Sequence, residues 1–136
     1  MKVFIDANLL VATLNKEYPL FTWSSRLLSL NGKNNIQLCT SPLCLAIAFY
    51  FSTKKSGEVL AKKKIDLICK NIGVTTINYE ITQMALANSK VHDFEDGLEY
   101  YSAVDYQCDI IITENQEDFY FSEIEILGCE EFLKRL

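Results

Sequence analysis

Short apolar runs alternate with longer amphipathic segments along this chain. The apolar runs span about four residues each and carry almost no polar side chain. Strands without a polar face are typical of a parallel sheet that is covered on both sides, and intervening helices complete βαβ units. The predicted strands are residues 2–5, 36–39, 74–77, 110–113 and 124–127, and the predicted helices are residues 7–16, 21–30, 42–51, 58–71, 80–89, 94–106 and 130–136.

Local start and stop signals support this division. Ser41 followed by Pro42 is a typical helix start, and Asn31-Gly32 and Ser56-Gly57 are typical helix ends. A chain of 136 residues is long enough to bury one sizeable core. We therefore expect residues 1–136 to form one α/β domain, with a short parallel sheet of four to five strands flanked by helices on both faces.

Composition narrows the class of protein. An apolar fraction of 49% argues against disorder. The longest apolar stretch, residues 42–51, is too short to span a bilayer, and the N-terminus shows no signal-peptide pattern. The five cysteines are scattered and odd in number, which argues against a disulfide framework and against a zinc site. These features predict a cytoplasmic protein with buried, reduced thiols and no membrane association.

The net charge of −5 hides a division between two parts of the chain. Residues 1–90 hold 11 Lys and Arg against 5 Asp and Glu, whereas residues 91–136 hold 2 against 13. A protein divided in this way can hold phosphate groups with one part and a metal ion with the other. The alternative is that the acidic part is only a solvated surface, because charge runs usually face water.

Acidic residues occur at or just beyond the edges of three apolar elements. Asp6 follows the first strand, Asp96 lies near the start of a helix on an inward-facing stripe, and Asp118 lies in the loop after the fourth strand. Sites in open α/β sheets form where parallel strands end, and carboxylates gathered there repel one another without a cation. Mg²⁺ or Mn²⁺ is the natural cation for oxygen ligands, so the pattern predicts a metal-dependent phosphodiesterase. Helix capping by these acids is the competing interpretation.

Three motifs resemble the PIN domain, the nuclease fold shared by VapC-type toxins and other RNA-processing nucleases. Residues 3–8 resemble its opening strand with a metal-binding Asp, and residues 96–103 resemble its Asp-led helix. Residues 112–119 resemble its closing motif of a strand, a Thr, polar residues and Asp-Phe. The Phe-Glu-Asp sequence at residues 94–96 is closest to a bacterial branch of the family. The resemblance covers essentially the whole chain.

This resemblance implies a metal-dependent endoribonuclease, the toxin of a toxin–antitoxin pair, which leaves a 5′-phosphate and a 3′-hydroxyl. It implies that Asp6, Asp96 and Asp118 are the catalytic residues and the ligands of Mg²⁺ or Mn²⁺. It also implies a homodimer that an antitoxin protein holds inactive. The residues expected to support the metal site are Asn8, Asp93, Glu95, Thr113 and Asn115.

One position departs from the family pattern. Many members carry an acid, usually Glu, in the helix after the second strand, and the Phe-Glu-Asp branch often has Asn there. In this chain Ile47 occupies that position. Activity is therefore expected to be weakened, or carried by a neighbouring acid such as Asp93. A PIN-like module that has lost catalysis and binds RNA or a protein is the alternative, and an unrelated α/β domain with acidic caps is the third hypothesis.

Lysines gather over one helix–turn–helix region of the basic part. They could contact RNA phosphates, although lysine-rich helix faces are also common as plain solvated surfaces. The single histidine, His92, is not expected to act as a general base, and no Ser-His-Asp arrangement or Gly-rich phosphate loop competes. The lysines predicted to bind RNA are Lys54, Lys55, Lys62 and Lys63.

Overall fold

The computed structural model describes residues 1–136 as a five-stranded parallel sheet with seven α-helices. A short 3₁₀ helix covers Gln116–Phe119. In chain order the elements are β1 (Lys2–Ile5), α1 (Ala7–Leu14), α2 (Leu20–Leu28), β2 (Gln37–Thr40), α3 (Pro42–Ser56), α4 (Glu58–Asn71), β3 (Gly73–Val74), α5 (Tyr79–Ala87), α6 (Phe94–Asp105), β4 (Ile110–Ile112), β5 (Glu125–Leu127) and α7 (Cys129–Lys134).

The strand order is β3-β2-β1-β4-β5, with β1 at the centre of the sheet. Ile5 at the end of β1 pairs in register with Ile112 at the end of β4. Val3, Phe4 and Ile5 are all fully buried. Because successive residues of a strand point to opposite faces, both faces of the sheet must be covered. The predicted α/β class and the predicted parallel sheet are confirmed.

Side chains that begin helices also lie at one edge of the sheet. Asp6 caps α1, and Ser41 caps α3 by accepting a hydrogen bond from the Cys44 backbone amide at 3.0 Å. Asp93 caps α6 through the Glu95 amide. These caps satisfy backbone amides that a helix otherwise leaves unpaired. Because α1 and α3 start directly after the carboxyl ends of β1 and β2, their capping side chains lie at that edge of the sheet.

Two predicted boundaries and one predicted loop differ clearly from the structure. The predicted strand 74–77 is only Gly73–Val74, because its partner β2 ends at Thr40, and the amide of Thr75 makes the last bond to that residue's carbonyl. Helix α3 continues past residue 51 to Ser56 and ends at Gly57, whose φ of +84° favours glycine. The 3₁₀ helix was expected to be loop.

The structure also shows the state of the cysteines and whether any helix could cross a membrane. All five cysteines are free thiols, and four of them are buried. No helix in the structure combines the length and the apolar character that crossing a bilayer requires.

Helices α5 and α6 approach each other closely at Gly97. A Cβ atom added there would lie 2.7 Å from Val91 Cγ1 and 3.2 Å from Ala85 Cβ. Such distances are shorter than normal van der Waals contact, and valine has little freedom to move away. Gly97 therefore lets α6 lie directly against its neighbour, one residue after Asp96.

Gly97→Ala tests this close packing. The change should lower the free energy of unfolding by about 1 to 3 kcal/mol through overpacking, although alanine ordinarily stabilises a helix interior relative to glycine. In a Val91→Ala background most of that loss should disappear, because the closest contact is gone. Urea unfolding of the two single variants and the double variant measures the coupling. Equal effects of Gly97→Ala in both backgrounds would contradict the proposed contact.

Candidate metal centre

Asp6 is held in place where the central strand β1 ends. Its Oδ1 accepts a hydrogen bond from the Ala7 amide at 2.6 Å, and its Oδ2 accepts one from Thr113 Oγ1 at 2.7 Å. The side chain is buried. The in-register pairing of β1 with β4 brings these two residues together, because both directly follow the last strand residue. Asp6 therefore occupies the point where the strand order changes direction, the usual location of sites in such sheets.

Neutral side chains orient this carboxylate. Asn8 Nδ2 lies 3.5 Å from Asp6 Oδ2 and 3.3 Å from Thr113 Oγ1. Thr113 Oγ1 also accepts a hydrogen bond from the Asn115 amide at 3.0 Å. The two residues predicted to support Asp6 from the β4 side thus belong to one network with it. Their contribution to metal binding stays a prediction.

Helix α6 supplies further carboxylates from the side. Asp93 is its N-cap, accepting a hydrogen bond from Glu95 N at 3.0 Å, and Asp96 follows in the first turn, partly buried. Glu99 lies one turn after Asp96, so the two side chains share a face of the helix. Asp118 comes from the 3₁₀ helix, which packs against α6.

These elements enclose a cavity of about 480 Å³. Seven carboxylates line it, and no Lys, Arg or His side chain does. Every predicted metal ligand lies here, together with all the predicted supporting residues except Thr113, which reaches the cavity only through Asp6. Ile47 also lines this cavity, at the position where an acid was expected. The seven are Asp6, Glu17, Asp93, Glu95, Asp96, Glu99 and Asp118.

The tightest cluster contains two residues that the sequence reasoning missed. Oxygen and sulfur atoms of Asp6, Cys44 and Glu99 all lie within 4.8 Å of one another. Glu99 is only 2% exposed, and its Oε1 lies 3.1 Å from Cys44 Sγ. The spacing of three residues from Asp96 could have indicated Glu99. Cys44 was expected to be a simple core thiol, and nothing in its sequence context distinguishes it from one.

Burial and mutual repulsion raise the pKa values of Asp96, Glu99 and Cys44. Burial raises the pKa of Asp96 to about 7, and the charges of Asp93, Asp118 and Asp6 add to the effect. Burial, followed by the charge of Asp6, raises the pKa of Glu99 well above its usual range. The pKa of the Cys44 thiol is also raised by burial and by the carboxylate of Glu99. The thiol therefore stays neutral and acts as a donor to Glu99.

The donor set fits a hard divalent cation. Carboxylate and amide oxygens are the ligands that Mg²⁺ and Mn²⁺ prefer, whereas a neutral thiol is a poor ligand for either. Asp6, Asp96, Asp118 and Asn8 all reach the same cavity. A cation there would relieve the repulsion that contributes to the raised pKa of Asp96. The cavity is suited to a metal ion, while the choice between Mg²⁺ and Mn²⁺ stays a prediction.

The four predicted RNA-binding lysines lie outside this cavity, exposed on α3 and α4. Lys54 Nζ lies 4.3 Å from the centre of the Tyr50 ring, and Lys55 Nζ donates to the Asn15 carbonyl. Lys62 pairs with Glu58 at 3.0 Å, and Lys63 is exposed without an ion-pair partner. Their role in RNA binding stays a prediction.

The raised pKa of Asp96 makes the stability of the metal-free protein depend on pH. Between the ordinary Asp pKa of 3.8 and the folded value of about 7, the folded state binds more protons than the unfolded state. The free energy of unfolding should therefore fall as pH rises through this range. Thermal denaturation in EDTA from pH 4 to pH 8 measures the slope.

Asp96→Asn is the matched variant for this measurement. It should raise the melting temperature of the metal-free protein at pH 8 more than at pH 4, because it removes a repelling charge that is present only at high pH. A stability that rises between pH 4 and pH 7, or a variant with the wild-type slope, would contradict the assigned repulsion.

Several known proteins are similar to this chain in sequence or in fold. Ribonuclease VapC1 of Aquifex aeolicus (strain VF5) is 28% identical over 138 residues, covering 98% of this chain and 94% of that protein. A toxin-antitoxin complex from Klebsiella pneumoniae superposes with a TM-score of 0.71 at 14% identity, covering 93% of this chain and 96% of the other.

A second solved structure is VapC20 of Mycobacterium tuberculosis, a toxin that cleaves the sarcin-ricin loop. It superposes with a TM-score of 0.64 at 13% identity, covering 80% of this chain and 86% of the other. At these identities the superpositions show a shared fold. The PIN domain family model matches residues 2–117, which is most of the sequence. The chain therefore belongs to the PIN domain family.

Proposed function

We propose that this protein is a metal-dependent endoribonuclease and the toxin of a toxin–antitoxin pair, with residues 1–136 forming one nuclease domain. One observation carries the proposal: seven carboxylates and no cationic side chain line a cavity at the edge of the sheet, in a PIN domain. The ribonuclease name of the Aquifex aeolicus relative supports the same activity. A cavity so charged favours a divalent cation, which in turn attracts a phosphate.

The proposed roles follow from the position of each carboxylate. Asp6 and Asp96 would hold the metal ion, and Asp118, an exposed residue of the cavity lining, would orient the groups bound to it. Thr113 and Asn8 keep Asp6 in one orientation through their hydrogen bonds. A divalent cation held by these residues would activate water and offset charge on the phosphate, a role that no cationic side chain of this cavity can take.

We propose that RNA is held partly by the lysines of α3 and α4. Lys54 and Lys63 are exposed and make no ion pair, so they are the better candidates to meet phosphates. Lys55 and Lys62 already contact a backbone carbonyl and Glu58, respectively. Phosphate contacts of this kind carry no sequence preference and weaken with salt.

An antitoxin protein and a second copy of this chain are the proposed partners, and a cytoplasmic location is the proposed setting. The Klebsiella pneumoniae structure is a toxin-antitoxin complex, which supports the first of these. Large apolar side chains exposed on α3 and α4 could bury against a partner, including Tyr50, Phe51, Val59, Leu60 and Leu67.

A catalytically silent binding module is the second candidate function. Ile47 favours it, because an apolar side chain lines the cavity where family members carry a polar ligand. Such a module would bind RNA, or a metal ion, without cleaving a phosphodiester bond. Cleavage and metal binding therefore have to be measured separately.

Cleavage of single-stranded and structured RNA in Mn²⁺ or Mg²⁺, by protein freed of any partner, tests the proposed activity. Asp96→Asn should lower the cleavage rate by about 100-fold or more, because losing a metal-holding carboxylate removes a few kcal/mol of transition-state stabilisation. EDTA should abolish cleavage by the wild type.

Asp105→Asn is the matched control, since it removes the same charge from the exposed far end of the same helix. It should cleave at close to the wild-type rate. If the wild type binds Mn²⁺ yet leaves every RNA intact, the silent module is the correct function. Equal cleavage by the wild type and Asp96→Asn would remove Asp96 from the active site.

A further inference from the structure

Glu99 is a buried carboxylate that meets no cationic group. Only 2% of its surface is exposed, and its Oε1 accepts a hydrogen bond from Cys44 Sγ at 3.1 Å. Its carboxyl group also faces that of Asp6, with which it can hydrogen-bond only by sharing a proton, and the residue lines the acidic cavity. An isolated buried carboxylate is costly, so glutamate is almost never found in a core without a partner. Because the cavity has no cationic side chain, a positively charged partner for Glu99 is expected to enter from the cavity.

Position relative to α3 gives the second argument. Cys44 and Ile47 are one turn apart on α3; Ile47 lines the cavity, and the buried Cys44 lies beside Asp6 and Glu99. Because Glu99 contacts Cys44, its carboxylate lies against the part of α3 where other family members carry their acid. The apolar side chain of Ile47 and the extra carboxylate of Glu99 thus occupy neighbouring parts of one cavity.

The distance to Asp6 gives the third argument. Asp6, Cys44 and Glu99 have ligand atoms within 4.8 Å of one another, which is a tighter group than the predicted set of Asp6, Asp96 and Asp118 forms. Two carboxylates this close in a buried place repel each other strongly unless a cation or a proton lies between them. Asp6 already uses both of its oxygens to accept hydrogen bonds and still lines the cavity.

We propose that Glu99 is a metal ligand of this site and supplies from α6 the carboxylate that Ile47 does not supply from α3. The proposal rests on the proposed function, because it concerns the same divalent cation. It makes the site a group of four carboxylates, with Asp6, Asp96, Glu99 and Asp118 as members. The carboxylate of Glu99 then compensates for the apolar side chain of Ile47 within the same cavity.

Direct Mn²⁺ binding by the whole protein is the experiment. Glu99→Gln keeps the shape and the hydrogen bond to Cys44 but removes the charge. Calorimetry should show a Mn²⁺ dissociation constant about 10- to 100-fold weaker than that of the wild type. The melting temperature in EDTA should stay equal or rise, while the increase caused by Mn²⁺ should shrink. A purely structural carboxyl would not give this pair of changes.

Glu17→Gln is the matched charge control. Glu17 lines the same cavity from an exposed position between α1 and α2, so its loss reports only the general electrostatic effect. Its Mn²⁺ affinity should stay within about threefold of the wild type, since exposed charges are strongly screened. Matching affinities for Glu99→Gln and Glu17→Gln would overturn the proposal and make Glu99 a core carboxyl.

A relocated acid gives an independent test. Adding Ile47→Glu to the Glu99→Gln variant should restore a large part of the lost Mn²⁺ affinity, because the carboxylate returns to the same cavity from α3. If the double variant still unfolds cooperatively but does not regain Mn²⁺ affinity, Glu99 does not take the place of a carboxylate on α3. A wild-type protein that binds no Mn²⁺ would overturn the proposed metal site, and this proposal with it. Normal binding by both the wild type and Glu99→Gln would overturn only the proposal for Glu99.

Discussion

Repulsion among carboxylates at one edge of the sheet is the constraint on which the rest of this structure depends. Asp6 lies at the end of the central strand β1, where it is buried and poorly screened by water. The protein holds it there with four neutral donors, from Ala7, Asn8, Cys44 and Thr113, rather than with a cationic side chain. A lysine or arginine would neutralise the cavity and fill the place that a metal ion needs. Because no cationic side chain compensates this negative charge, this edge of the sheet is suited to bind a metal ion.

The same side chains begin the helices and form the cavity. Asp6 caps α1 and Asp93 caps α6, so the capping interpretation of the sequence is confirmed for these two residues, and both also line the acidic cavity. An N-terminal helix end favours negative charge, which offsets part of the cost of gathering carboxylates. This arrangement explains how so many acids can be placed together within a stable domain.

The sequence predicted much of the fold because both faces of the sheet are buried. Short apolar runs such as residues 110–112 indicate buried strands, and the capping residues mark where the helices begin. Strand β3 was predicted too long because its extent depends on where β2 ends, which is a tertiary contact. The shared cavity of Asp6, Asp96 and Asp118 followed from the family motifs, whereas Glu99 looked like one more acid on a helix. Its burial depends on Cys44 of a different helix, and no local pattern reports that contact.

Moving a carboxylate from α3 to α6 changes what the site depends on. Helix α6 then carries Glu95, Asp96 and Glu99 within its first two turns, so its position sets most of the charge in the cavity. That position is fixed by the Asp93 cap and by the close approach of α5 at Gly97, which leaves no room for a larger residue. The packing between α5 and α6 therefore also determines the spacing of the carboxylates. Because the carboxylates on α6 move together, a small shift of this helix changes their distances from Asp6 at the same time.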